Sequence, residues 1–141
     1  METTYIMVKP DGVQRGLVGE IIGRFERKGL KLVGLKSMVP TEEIARTHYD
    51  VHKERPFYND LVEYMTSGPV QIQVLSGDSA IDANRAIMGA TNPAEAEAGS
   101  IRADFADSIE ENIVHGSDGP DTATQEIAFF FSEDEICNRT R

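Results

Sequence analysis

The chain has 141 residues, of which 40% are apolar and 27% charged, and its formal net charge is −10. That length and balance predict one folded domain spanning 1–141 with a real core and exclude a disordered chain. The acidity disfavours nucleic acid or an anionic membrane as partner, since the overall field repels phosphate polymers, although a small anionic ligand needs only a few converging cations.

The opening METTYIMVKPDG has no basic segment followed by an apolar stretch, and no apolar run reaches membrane-spanning length. The lone Cys137 cannot close a disulfide within the chain. The expectation is a soluble cytoplasmic protein.

Thr4 to Val8 is rich in strand formers and stops at the Lys-Pro-Asp-Gly turn signal. Val18, Ile21, Ile22 and Phe25 then recur at helical spacing up to Gly29, while Gly16, Gly19 and Gly23 recur so as to leave a slim face for close packing. LKLVGLKSMV reads as a strand. Thr41 followed by Glu42 and Glu43 predicts a capped helix through about Tyr49. Pro56 opens a further helix closed by Gly68, and Pro69 to Leu75 alternates as a half-buried strand does. Ser79 to Met88 predicts a helix closed by Gly89. Thr91 to Ser108 reads as a long functional loop. Glu126 to Phe131 (EIAFFF) reads as the final strand, with a capped helical turn from Ser132.

This order predicts an α+β fold. It is a ferredoxin-like βαββαβ sandwich whose four-stranded, mainly antiparallel sheet carries its helices on one face.

Familiar nucleotide signatures are missing: neither G-x-x-x-x-G-K-S/T nor G-x-G-x-x-G occurs. His48 and His52 stand four apart in HYDVH, but the second position holds Tyr49 rather than the glutamate of a zinc protease. Without that base or a third ligand the pair is read as a solvated helix face, and no protein-held metal is expected.

His115 is different. It follows Ile113 and Val114 and runs into Gly-Ser-Asp-Gly. Gly116 permits close backbone approach, and Ser117 supplies a hydrogen-bonding group. A neutral imidazole attacks phosphorus well when a carboxylate holds its far nitrogen, and Glu126 is the candidate for that task. Lys9, Arg55, Arg85 and Arg102, with Thr91 and Asn112, would form a phosphate clamp if the fold gathers them. Lys9, Arg85 and Arg102 are expected to matter more to chemistry than to folding.

These motifs resemble the nucleoside diphosphate kinase family from about Thr4 to Phe131. The strongest block is N-I-V-H-G-S-D, Asn112 to Asp118. V-K-P-D-G-V from Val8, H-K-E-R-P-F-Y from His52, M-T-S-G-P-V from Met65, G-A-T-N-P from Gly89 and S-I-R-A-D-F from Ser100 follow the family order.

The resemblance implies reversible ping-pong transfer of the γ-phosphate from a nucleoside triphosphate to a diphosphate, through a phosphohistidine at His115. It further implies Lys9, Tyr49, Arg85, Thr91, Arg102 and Asn112 around phosphates and sugar. Phe57 would stack on the base with Ile109 over the other face, and Glu126 and Ser117 would steady the imidazole. Mg²⁺ would arrive bound to the nucleotide. A homo-oligomer is implied, a hexamer rather than a tetramer. A nucleotide-binding regulator without exchange, or an unrelated ligand-binding module, would show no phosphoryl labelling.

Overall fold

The computed structural model describes residues 2–50, 53–109 and 111–137. Strand β1 (Glu2–Val8) is followed by a short helix α1 (Pro10–Gln14), helix α2 (Val18–Arg27) and strand β2 (Lys31–Met38). Helices α3 (Glu42–His48) and α4 (Tyr58–Met65) lead to strand β3 (Val70–Gly77), helix α5 (Ala80–Met88) and a short helix α6 (Ile101–Phe105). Strand β4 (Val114–Gly116) and helix α7 (Pro120–Phe130) complete the order, with a closing 3₁₀ turn at Glu133–Glu135.

The sheet order is β2-β3-β1-β4, and its neighbouring strands all pair antiparallel. The ferredoxin-like expectation therefore holds, but helices cover both faces instead of one. Alternation along β1 explains how. Tyr5 and Met7 enter a core with Val62, Met65 and Phe130, while Ile6 and Val8 enter the opposite core with Ile21, Phe25 and Ile101. Both faces of β3 are buried as well, so its Gln71 and Gln73 are buried polar residues, not the wet side of a half-exposed strand.

The largest departure from expectation lies near the C-terminus. Glu126 to Phe131 is not a strand: all but Phe131 belongs to α7, and the fourth strand is the short Val114–Gly116 segment. Pro120 stands in the first turn, where its missing N–H costs nothing, and Ala123, Glu126 and Phe130 are the buried positions. That spacing is helical, and it overrides the strand propensity of the aromatic run.

Smaller differences have local causes. Helix α4 begins at Tyr58, two residues after Pro56. The turn after β1 winds into α1. The Thr91 to Ser108 stretch contains a 3₁₀ turn and α6. The three glycines make no slim face: Gly16 precedes α2 with φ +71°, and Gly19 has open space where a side chain would stand. Thr41 does cap α3, its side chain accepting from the Ile44 N–H, and the capping box at Ser132 and Glu135 is formed. No helix among the described residues is long and apolar enough to cross a membrane.

Candidate active site

His115 sits on β4, the edge strand beside β1, with Met7 as its register partner. Gly116 follows because α5 crosses closely there. A Cβ at that position would lie 2.5 Å from Asn84 Nδ2 and 2.7 Å from Met88 Cε. The next residue, Ser117, is fully buried and donates its backbone N–H to Tyr5 O at 3.0 Å.

From α7, Glu126 reaches back to this strand. Its Oε2 lies 2.5 Å from His115 Nε2, and its Oε1 accepts the Ser117 hydroxyl at 2.7 Å. Burial alone would raise the Glu126 pKa, but the hydrogen bonds from His115 and Ser117 hold it below the ordinary carboxylate value. An ionised carboxylate only accepts, so His115 carries its proton on Nε2 and keeps a lone pair on Nδ1.

The approach to His115 depends on a strained residue. Ile113 has φ +76°, in the left-handed region that a β-branched side chain avoids at a cost of about 1–3 kcal/mol. Its N–H is accepted by Asp11 Oδ2 at 3.1 Å, and its carbonyl accepts the Lys9 N–H at 2.8 Å. Asp11 is steadied in turn by the Tyr64 hydroxyl. This turn delivers the buried Asn112 side chain to Lys9, whose Nζ donates to Asn112 Oδ1 at 2.8 Å.

A cleft of about 650 Å³ opens in front of these groups. Lys9, Arg85, Thr91, Arg102, Asn112 and His115 all line it, so cations scattered over the sequence converge in an acidic protein. Burial lowers the Lys9 pKa to about 8, with Arg102's positive charge adding to the effect. Burial likewise lowers Arg102 to about 10. Like charges held this close, with little water, suit a ligand bearing several negative charges.

Arg102 has a second task that its sequence context did not reveal. Its guanidinium donates to the carbonyls of Gly89 at 2.8 Å, Val114 at 2.6 Å and Asn112 at 3.4 Å. It therefore ties the end of α5 to β4, and its removal must cost stability as well as charge. Asn112 Nδ2 extends the same mesh to Thr91 O at 3.2 Å.

Phe57 and Ile109 line a neighbouring cavity of about 310 Å³ that shares Lys9 with the main cleft. Both are exposed apolar side chains, at 45% and 52%. Tyr49, expected beside the phosphates, lines neither cavity: its ring centroid lies 4.6 Å from that of His48. Burial and the Glu126 charge raise its pKa, and its buried hydroxyl has no hydrogen-bond partner among the described residues. Arg55 is exposed and lines neither cavity.

His48 was misread from sequence. It is not on a solvated face: its side chain is 9% exposed and its Nε2 lies 3.4 Å from Glu126 Oε2. The signal was its position three residues after the buried Ala45 and four after the half-buried Ile44. His52 lies outside the described residues.

A model of the family described as nucleoside diphosphate kinase matches residues 2–136. The chain belongs to the nucleoside diphosphate kinase family.

The chain is 60% identical over 138 residues to a nucleoside diphosphate kinase of Picosynechococcus sp., covering 98% of this chain and 93% of that one. Another, from Synechococcus elongatus, is 59% identical over 140 residues, covering 99% and 94%. Among solved structures, a nucleoside diphosphate kinase family protein from Babesia bovis superposes with a TM-score of 0.96 at 46% identity, covering 100% of this chain and 95% of that one. The Aquifex aeolicus nucleoside diphosphate kinase gives 0.92 at 45% identity, covering 96% and 98%. The chain is accordingly a kinase of nucleotide metabolism, a phosphotransferase that moves the γ-phosphate of a nucleoside triphosphate to a nucleoside diphosphate.

Proposed function

We propose that His115 carries the phosphoryl group between donor and acceptor. The observation behind this reading is the Glu126 carboxylate on His115 Nε2, which leaves Nδ1 as the nucleophilic nitrogen. Nδ1 attacks the γ-phosphorus, the bond to the bridging oxygen breaks, and the nucleoside diphosphate departs. The imidazole, now cationic, is stabilised by Glu126, itself held by Ser117. A second nucleoside diphosphate takes its place and attacks the phosphohistidine. One site serves both halves because they are the same reaction run in opposite directions.

Phosphoryl transfer demands positioning and charge neutralisation more than covalent help. Lys9, Arg85 and Arg102 supply charge along the cleft, while Thr91 and Asn112 supply polar contacts. The Tyr49 hydroxyl, buried and outside the cleft lining, would reach the nucleotide only if its side chain moved. Phe57 and Ile109 would hold the base between them; stacking tolerates any base, so broad nucleotide use follows.

The cleft also suits Mg²⁺ that enters with its nucleotide. Magnesium prefers oxygen ligands and keeps several waters, and the cleft wall offers Asp118 as a carboxylate beside His115, not an all-protein cage. When bound it would neutralise phosphate charge; Asp118 and the nucleotide would hold it.

The chain would work as one domain, which its single sheet between two apolar cores supports, and its place would be the cytoplasm, where its nucleotide substrates are. It would assemble as a homo-oligomer, a hexamer in preference to a tetramer, which solution mass tests.

Incubation with γ-³²P-ATP and Mg²⁺ should label the protein with an acid-labile, base-stable phosphate that GDP removes as labelled GTP. His115→Ala should take no label. Exchange by His115→Ala at the wild-type rate would overturn the assignment.

A further inference from the structure

His48 has no part in the phosphoryl-transfer reading, yet it faces the same carboxylate oxygen as His115. Glu126 Oε2 is 3.4 Å from His48 Nε2 and 2.5 Å from His115 Nε2. The two rings stand nearly perpendicular, with centroids 5.5 Å apart. One ligand atom from each of the three residues lies within 4.8 Å of the others.

Two imidazole nitrogens and one carboxylate oxygen form the donor set of many zinc sites that keep a position open. Bonds of about 2.0–2.2 Å place neighbouring ligands of a tetrahedral ion roughly 3.3–3.5 Å apart. The His48–Glu126 separation already has that value, and His115 needs to swing off its direct hydrogen bond. Ser117 holds the far carboxylate oxygen at 2.7 Å, the kind of outer contact that orients a ligand. Around His48 the walls are aromatic: the Tyr49 ring centroid lies 4.6 Å away and that of Phe130 5.3 Å. Among the described residues no lysine or arginine pairs with Glu126, whose partners are the two imidazoles and the Ser117 hydroxyl, so no fixed cation offsets its charge.

We infer that His48, His115 and Glu126 form a site for a borderline-soft divalent ion such as Zn²⁺, and that its occupation silences the kinase. The silencing rests on the phosphohistidine reading; the binding does not. Zinc takes the Nε2 lone pair of His115, so the ring's one proton resides on Nδ1. That nitrogen then has no lone pair to offer phosphorus. The Mg²⁺ used in catalysis does not compete, because it favours oxygen and dehydrates reluctantly.

The test uses the full-length protein without nucleotide. Equilibrium dialysis should find one tightly held Zn²⁺ per chain in excess Mg²⁺. Co²⁺ in its place should give the intense visible bands of a four-coordinate ion; weak octahedral bands would overturn the site without any variant. His48→Asn and His48→Gln, each checked for folding by circular dichroism, should bind zinc more than roughly 10-fold more weakly, the lower bound for losing even an outer partner. Cys137→Ser, at an exposed thiol, should bind as wild type does. Zinc affinity unchanged in a folded His48 variant would also overturn the proposal. Finally, one equivalent of Zn²⁺ should prevent ³²P labelling of wild type, and a zinc-selective chelator should restore it. Labelling that persists with zinc bound refutes the silencing, whereas a protein that binds zinc but never labels refutes the phosphohistidine reading alone.

Discussion

Glu126 and His115 meet at 2.5 Å although one stands on a helix and the other on an edge strand. The contact exists because α7 packs across β1 and turns its Ala123–Glu126–Phe130 face towards the sheet. Tyr5, stacked on Phe130 with ring centroids 5.2 Å apart, helps to hold that face in place.

Glu126→Gln should therefore separate chemistry from folding. The amide keeps the size of the side chain but cannot stabilise a cationic imidazole. We expect kcat to fall by roughly 10²–10³-fold, the usual loss when one such electrostatic group is removed. A stopped-flow record of phosphoenzyme formation measures this directly; a rate within a factor of two of wild type would refute the role.

Much of this arrangement was legible in the residues. TYIMV can hardly be anything but a strand, and Thr41 announces its helix because a short hydroxyl side chain is a natural cap. His115 stood out because a turn with Gly116 and Ser117 follows it directly. What stayed hidden depends on long-range packing. EIAFFF has the composition of a strand, and only docking against β1 shows that Glu126 and Phe130 share a helical face. The Ile113 strain was invisible because Asp11, which secures it, is 102 residues away in sequence. Arg102 was legible as a phosphate-clamp cation but not as a structural tie, since nothing local shows which carbonyls it meets.

Lys9 combines a cost to stability with a gain in function. Its pKa, lowered from 10.5 to about 8 by burial, means that the folded protein bears the full burden of the ammonium below that pH. Between pH 8 and 10.5 the unfolded chain binds more protons, so Lys9's unfavourable contribution is relieved as pH rises. Two results follow. In the free enzyme, kcat/KM for the triphosphate should fall as pH rises through about 8, where the charge is lost. Lys9→Met should lose most activity yet, because relief of the buried charge exceeds the cost of leaving Asn112 Oδ1 without its donor, keep a small net gain on the order of 1 kcal/mol near neutral pH that shrinks in alkali. Urea unfolding at two pH values checks the sign, and a less stable Lys9→Met would contradict it.

Arg85 and Arg102 line the same cleft but should respond differently. Arg85 is exposed and enters no ion pair among the described residues, so Arg85→Ala should slow exchange while changing stability by less than about 0.5 kcal/mol. Arg102→Ala removes three charge-assisted bonds to backbone and should cost roughly 2–4 kcal/mol besides activity. Paired urea melts and exchange assays distinguish them. Equal stability losses would show that the carbonyl contacts of Arg102 contribute nothing.

Phe57→Ala tests the base slot. Loss of one stacking partner, worth about 1–3 kcal/mol, should raise KM roughly 10-fold or more for purine and pyrimidine nucleotides alike. The saturated rate should change little, because the cavity beside Phe57 holds Ile109 and Lys9 but not His115. A selective loss for one base would mean that Phe57 reads base edges instead of stacking.

Gly116→Ala probes the close crossing that presents His115. The added methyl would meet Asn84 Nδ2 at 2.5 Å and Met88 Cε at 2.7 Å, and both neighbours belong to the buried face of α5. Met88 can bend, but Asn84 is fully buried and its Nδ2 is within 3.4 Å of Thr4 Oγ1, so β4 must yield. Overpacking of this kind costs about 1–3 kcal/mol. The same displacement should move His115 away from Glu126, so phosphoenzyme formation should slow even in the folded variant. Adding Met88→Ala would open space on one side only. If that second change restores stability but not the rate, the glycine is needed for the position of the imidazole; if it restores both, its role is confined to packing.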